Sequence, residues 1–157
     1  MDPALIPPYE VTVGPEWIDY NGHMRDASYG MAFSLAIDAF QEAIGFDQAY
    51  RDATGCTVYL LEDHKRYIQE VLLDADLRVT TDVLDVDEKR FLLRLEMYSG
   101  DLLVSTGEFL EIHVKKLPTP RAYPMPESFR VKLAARKGTW SDATDNARVS
   151  KQLSLMP

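Results

Sequence analysis

Between residues 27 and 44 the apolar side chains recur with one period, and from about residue 57 they recur with another. Phe33, Ile37, Phe40 and Ile44 follow at spacings of four, three and four, which draws one apolar stripe along a helix. Ala36 and Ala39 flank the stripe, and Ser34, Asp38, Gln41 and Glu42 lie mostly away from it. Gly45 is a stop signal, so the spacing predicts a helix over residues 27–44. Farther on, Leu77, Val79, Thr81 and Val83 alternate with Asp76, Arg78, Thr80 and Asp82. Phe91, Leu93, Leu95 and Met97 alternate with Arg90, Leu92, Arg94 and Glu96. A period of two describes half-buried antiparallel strands. Thr57 to Gln69 and Leu102 to Val114 also read as strands. Asp85-Val86-Asp87-Glu88 and Ser99-Gly100-Asp101 are turn signals, short enough that neighbouring strands are expected to pair as hairpins. Pro8 to Asp19 reads as a first extended segment, and Phe46 to Gly55 has room for a short second helix. The order of strand, long helix and about four strands is an α+β pattern, with the sheet wrapped over the helix.

At 157 residues the chain has the size of one domain, and 46% hydrophobic with 27% charged residues is a globular composition. The net charge of −8 argues against a nucleic-acid partner. The first residues lack a basic and apolar leader pattern, and no apolar run reaches membrane-spanning length. A cytoplasmic location is expected, consistent with the single cysteine, Cys56. The charge is uneven: residues 1–114 carry a net −14 and residues 115–157 a net +6. The basic tail either docks on its own acidic body or on a partner subunit, or serves a phosphorylated ligand. Pro118, Pro120, Pro124 and Pro126 are expected to end the sheet. Residues 1–126 then form one domain. Residues 127–157 form a partly ordered basic extension, with a short helix over Ser128 to Lys137 and little order from Thr139 to Pro157.

Several mechanisms are excluded by motif. No serine elbow, phosphate loop or dinucleotide fingerprint is present. His23, His64 and His113 fit no zinc spacing, so no metal and no cofactor is expected. Cys56 reads as a structural thiol. Asp19, Asn21, His23 and Asp26 remain, clustered where the chain enters the long helix. Free N–H groups and the positive end of the helix dipole collect there. They can hold an oxyanion beside a carboxylate that acts as base or nucleophile. The alternative is that Asp26 or Ser28 only caps the helix and Asp19 is a turn residue. On the strand beginning near Thr57, alternation puts Glu62, His64 and Arg66 on one face and Tyr59, Leu61, Asp63 and Tyr67 on the other.

Asp19-Tyr20-Asn21-Gly22-His23-Met24, followed by Ala27-Ser28-Tyr29 and the long helix, resembles the hotdog-fold acyl-CoA thioesterases of the 4-hydroxybenzoyl-CoA thioesterase-like branch. The resemblance covers roughly residues 8–114. It implies a long central helix wrapped by an antiparallel sheet, and a homodimer or dimer of dimers with active sites between subunits. Asp19 matches the family's catalytic carboxylate. The backbone near Asp26 matches its oxyanion site, Gly22 permits close approach of the thioester, and His23, the second catalytic candidate, orients the loop or hydrogen-bonds near the thioester. The motif region, including Trp17, is similar to the thioesterases associated with carnitine dehydrogenases, which implies a small acyl-CoA substrate, with betainyl-CoA and a short-chain or aromatic acyl-CoA as the alternatives. An acidic body and the aromatics Trp17, Tyr20, Tyr29, Tyr59 and Tyr67 suit a cationic acyl group. Asn21, Glu62 and His64 are further candidates for the substrate pocket. Arg66, Arg90, Arg130 and Lys132 are candidates for the CoA phosphates. A dehydratase and a non-catalytic acyl-CoA binder are the competing readings.

Overall fold

The computed structural model describes residues 6–137 and 153–155. Strand β1 (Tyr9–Thr12) leads through a 3-10 turn (Pro15–Trp17) to helix α1 (Asp26–Ile44) and helix α2 (Gln48–Thr54). Strands β2 (Cys56–Tyr67), β3 (Asp76–Val86), β4 (Arg90–Ser99) and β5 (Leu102–Lys115) follow, then β6 (Arg121–Ala122) and helix α3 (Glu127–Ala134).

Helix α1 forms where the stripe places it and buries Phe33, Ile37, Phe40 and Ile44, with Ala32 and Ala36 between them. Gln41 is buried as well, contrary to its expected place off the stripe. Gly45 ends the helix at φ 106, a left-handed conformation open to glycine. Its N–H reaches the Gln41 and Glu42 carbonyls. The first extended segment is shorter than expected. Only Tyr9–Thr12 pairs with β3, because Gly14 and Pro15 turn the chain and Pro15 has no N–H to donate.

The sheet is antiparallel, in the order β1-β3-β4-β5-β2, with β6 on the end of β5. The expected hairpins are present at β3–β4 and β4–β5. They fail between β2 and β3, which lie on opposite sides of the β4–β5 pair. The connecting segment is held elsewhere: Met24 N–H donates to Val71 O (2.8 Å), Val13 N–H to Ala75 O (2.9 Å) and Asp74 N–H to Val13 O (3.0 Å). A bulge between Leu60 and Glu62 also shifts the faces of β2. Leu60 and Asp63 stand opposite Glu111 and Phe109 on the α1 side, and Tyr59 moves to the face of Glu62 and His64.

Leu77, Val79, Val83, Phe91, Leu93, Leu95, Met97 and Phe109 line the sheet face that packs on α1, and burial of this apolar surface drives the fold. Phe129 and Leu133 of α3 join the same core. Cys56 is buried and free. The prolines after Lys116 interrupt the sheet without ending it, since Arg121 and Ala122 still pair with Lys115 and Val114. The described part of the basic tail docks on its own body. Lys132 Nζ donates to Ile44 O at the C-terminus of α1 (2.8 Å), where the helix dipole favours a cation. Arg136 donates to Thr81 O (2.9 Å) and lies 5.6 Å from the Phe40 ring, and Lys137 pairs with Asp85. The expectation for Thr139 to Pro157 falls, apart from residues 153–155, outside the described residues.

Candidate active site

The polar segment folds into a tight turn. Gly22 N–H donates to Asp19 O (3.0 Å), and Gly22 takes φ 80, which its lack of a side chain permits. The Asp19 carboxylate accepts the Asn21 N–H at 2.8 Å. Asp19 N–H in turn donates to His23 O (2.9 Å), so the turn is closed on itself just before α1. Arg25 is the N-cap of α1 and offers no side-chain cap. Its N–H donates to Trp17 O (2.9 Å), which fixes the direction of entry. The Asp26 side chain accepts the Ala27 N–H (2.8 Å), while the Asp26 N–H meets no acceptor among the described residues. An open N–H remains at the positive end of a 19-residue helix.

A broad open pocket of about 740 Å³ lies against this helix end. His23, Met24, Asp26 and Tyr29 line one side, and Tyr67, Ile68, Gln69, Glu70 and Leu72 line the other. Tyr29 anchors the two sides. Its hydroxyl donates to Gln69 O (3.1 Å), and its ring meets Tyr67 edge-on. Burial first, and then the nearby Glu70 charge, hold the Tyr29 phenol above its ordinary pKa, so it stays a neutral donor. His23 Nε2 is 3.1 Å from Glu70 Oε2. Asp26 and Glu70 are acidic, and among the described residues no lysine or arginine lines the pocket.

The structure therefore brings His23, Asp26 and Tyr29 together, with Asp19, Asn21 and Gly22 on the turn beside them. Trp17 contributes its backbone to the helix entry and is half-buried against the core. Tyr20 is 96% exposed and touches none of this within one chain. Glu62 and His64 stand opposite Leu110 and Glu108 on the face away from α1, so one chain does not unite them with the Asp19 turn. Tyr59 shares that outer face; of the five aromatics, Tyr29 and Tyr67 alone pair with each other. Two of the cations considered for CoA are engaged structurally: Arg90 with Asp87 and Leu155 O, and Lys132 with Ile44 O. Gln69 and Glu70 are not among the sequence-derived candidates: Gln69 reads as the end of a strand that in the structure stops at Tyr67, and Glu70 sits in a connection without periodicity. Among the described residues no group of three or more His, Cys, Asp or Glu side chains could hold a metal ion.

Comparison with known proteins places this geometry. A model of the thioesterase-like superfamily matches residues 13–133. A betainyl-CoA thioesterase of Pseudomonas aeruginosa is 42% identical over 119 residues, covering 74% of each chain. An L-carnitine dehydrogenase/betainyl-CoA thioesterase of Ruegeria pomeroyi is 38% identical over 112 residues, 71% of this chain and 23% of that longer protein. A hypothetical protein of Staphylococcus aureus, solved in complex with CoA, superposes with a TM-score of 0.79 at 28% identity, covering 98% of this chain and 99% of that one. With a long helix seated on a curled antiparallel sheet and this match over most of its length, the chain belongs to the thioesterase-like superfamily as a hotdog-fold hydrolase of acyl-CoA thioesters.

Proposed function

We propose that this chain hydrolyses betainyl-CoA to betaine and CoA, with Asp19 as the reacting carboxylate. The supporting observation is the pocket at the start of α1: two tyrosine rings, two carboxylates and, among the described residues, neither lysine nor arginine in the lining. Such a lining favours an acyl group that carries a quaternary ammonium. The relative at 42% identity carries the same activity in its name.

In the mechanism, the thioester carbonyl oxygen points at the Asp26 N–H. Asp19 takes a proton from water as the water oxygen bonds to the carbonyl carbon. The tetrahedral oxyanion forms against the helix end, where a fixed dipole stabilises it without reorganising. Collapse restores the carbonyl, breaks the C–S bond and releases CoA as a thiolate, which takes up the proton. Direct attack by the Asp19 carboxylate, giving a mixed anhydride that water then opens, uses the same groups. Gly22 lets the turn lie close to the thioester, and His23, held by Glu70, orients the turn.

The working unit is a homodimer or a dimer of dimers. Strand β2 supports this: it is an edge of the sheet, it pairs among the described residues with β5 alone, and it exposes Tyr59, Leu60, Leu61 and Tyr67. Long apolar edges are rarely left open. A second copy would also cover Tyr20 and bring Glu62 and His64 of one chain toward the other. No helix among the described residues is long and apolar enough to cross a membrane.

Thiol release from betainyl-CoA, acetyl-CoA, hexanoyl-CoA and benzoyl-CoA tests the proposal, with the Asp19→Asn protein in parallel. The expected result is preference for betainyl-CoA and a loss of at least about a hundredfold in kcat for the variant. Equal turnover of neutral substrates would remove the cationic specificity. Full activity in Asp19→Asn would remove the assigned base.

A further inference from the structure

A second, smaller cavity lies between α1, β2 and β5, farther along the helix. Its volume is about 220 Å³. That is below the roughly 300–1,000 Å³ of sites that enclose a whole drug-sized ligand. Ile37, Val58, Leu60 and Phe109 form apolar walls, and Asp38, Asp63 and Glu111 supply carboxyl groups. Helix rise places Asp38 about 18 Å along the axis from Asp26. The ammonium of a betainyl group is two bonds from its carbonyl carbon, so one acyl group cannot reach both places. The two pockets share no lining residue, although the near end of this cavity, at Gly30, adjoins Tyr29 of the thioester pocket.

Two polar side chains are committed to it without a partner. Glu111 is 4% exposed and Gln41 is 9% exposed, and both line the cavity. Neither side chain makes a hydrogen bond among the described residues, and the polar atoms of both keep contact with the solvent of the cavity. Their neighbours do not resolve the deficit. Glu111 sits opposite Phe91 on β4 and Leu60 on β2, and between Phe109 and His113 on its own face of β5. His113 is already engaged by Tyr50 and the Tyr123 carbonyl. Across the cavity, Asp38 repels it. Asp38 is in turn influenced by Glu42 and, from α2, by Arg51. The local cation, Lys65, pairs with Asp63 and lies 5.9 Å from the Phe109 ring, at the Gly30 end. Asp63 is therefore balanced by Lys65, the exposed Asp38 has Arg51 within electrostatic reach, and Glu111 is influenced by burial and Asp38 alone.

We infer that this cavity binds the head group of a small alkylammonium cation, with Glu111 and Asp38 as its counter-charges and the Phe109 ring, Ile37 and Val58 as its walls. A hard divalent ion would need six or more converging oxygens. Here the carboxyl groups are spread among apolar side chains, and no metal-holding cluster exists among the described residues. A diffuse, methylated cation suits that mixture of aromatic face, aliphatic wall and distributed negative charge. A ligand with its own carboxylate would be repelled. Burial, with Asp38 next, lifts the Glu111 pKa to about 7, so a bound cation favours the ionised form and binding releases a proton.

The test is isothermal titration of tetramethylammonium chloride into the full chain, against sodium chloride at equal ionic strength. Saturable binding specific to tetramethylammonium is expected, about tenfold tighter at about pH 8 than at about pH 6 as Glu111 ionises. Glu111→Gln is expected to weaken it at least about tenfold and to flatten the pH dependence. Asp38→Asn, at an exposed position, provides a second variant and weakens it in the same direction. Binding is expected to persist in Tyr67→Ala, since the Tyr67 side chain does not line this cavity. The inference is overturned by the absence of saturable heat, which would leave the cavity to water. Equal binding of sodium, unchanged affinity in both carboxyl variants, or loss in Tyr67→Ala alone would overturn it too. Loss of thioesterase activity in Asp19→Asn bears on the proposed reaction and not on this site.

Discussion

The Tyr67 ring on β2 meets the Tyr29 ring on α1 edge to face, with centroids 5.2 Å apart and planes at 89°. This contact couples the outermost strand to the first turn of the helix, where the thioester pocket opens. Tyr67→Ala removes an aromatic pair worth about 1 kcal/mol. A denaturant titration should show a loss of that size. In steady-state assays KM for betainyl-CoA should rise more than KM for hexanoyl-CoA. Tyr29→Phe keeps the ring pair and removes the bond to Gln69 O, so its cost should be about 0.5–1.5 kcal/mol with little change in substrate preference.

Glu111 and His113 give opposite pH dependences of stability. The Glu111 carboxyl has its pKa raised by burial from 4.5 to about 7. The folded state therefore holds more protons than the unfolded chain in that window, and stability falls as pH rises through it. The full effect is about 3 kcal/mol. Burial lowers the His113 pKa below its ordinary 6.5, so its contribution is lost as pH falls below that value. Glu111→Gln should flatten the loss above about pH 5 and stabilise the protein at about pH 8. A stability curve for this variant that keeps the wild-type slope would contradict the assignment.

Arg94 lies on the outer sheet face, 1% exposed, with Nη1 3.4 Å from Glu108 Oε1 and Nη2 3.2 Å from Glu96 Oε1. Glu108 is equally buried. Arg94→Met leaves that carboxylate without its cation and should cost about 3–5 kcal/mol. The double variant Arg94→Met with Glu108→Leu should recover most of the loss. A double-mutant cycle on chemical denaturation reads this directly.

Leu61 is half exposed at the bulge of β2. Leu61→Lys places a charge on the edge proposed to join two chains, a device by which proteins keep edges apart. Light scattering should report a shift from dimer toward monomer, with thiol-release activity falling alongside. A monodisperse dimer with full activity would place the subunit contact elsewhere.

The sequence spelled out α1 because its apolar side chains fall on one stripe, and Gly45 closes it with a backbone angle open to glycine. It spelled out β3, β4 and β5 because alternation and short turns coincide. The position of β2 was not legible. The bonds that pull residues 71–75 onto Val13 and Met24 are main-chain bonds between distant segments, and side-chain patterning does not encode them. A single extra residue at the Leu61 bulge likewise moved Tyr59 to the outer face. Of the candidate site, the Asp19-to-Tyr29 segment was visible because chemistry and helix entry share a short stretch. Glu70 was not, since only the fold carries it to His23. Glu111 read as an ordinary strand residue; its significance depends on Asp38, which faces it from another element.

The strand order has a kinetic consequence. β3, β4 and β5 are joined by short connections and can pair with little chain entropy lost, whereas β2 must find β5 across the whole intervening meander. Non-local pairing of this kind is slow to form. β2 should close late in folding and open first in native-state exchange. Since Tyr67 ends β2 and Ile68 to Glu70 follow it, the far wall of the thioester pocket should form late in folding.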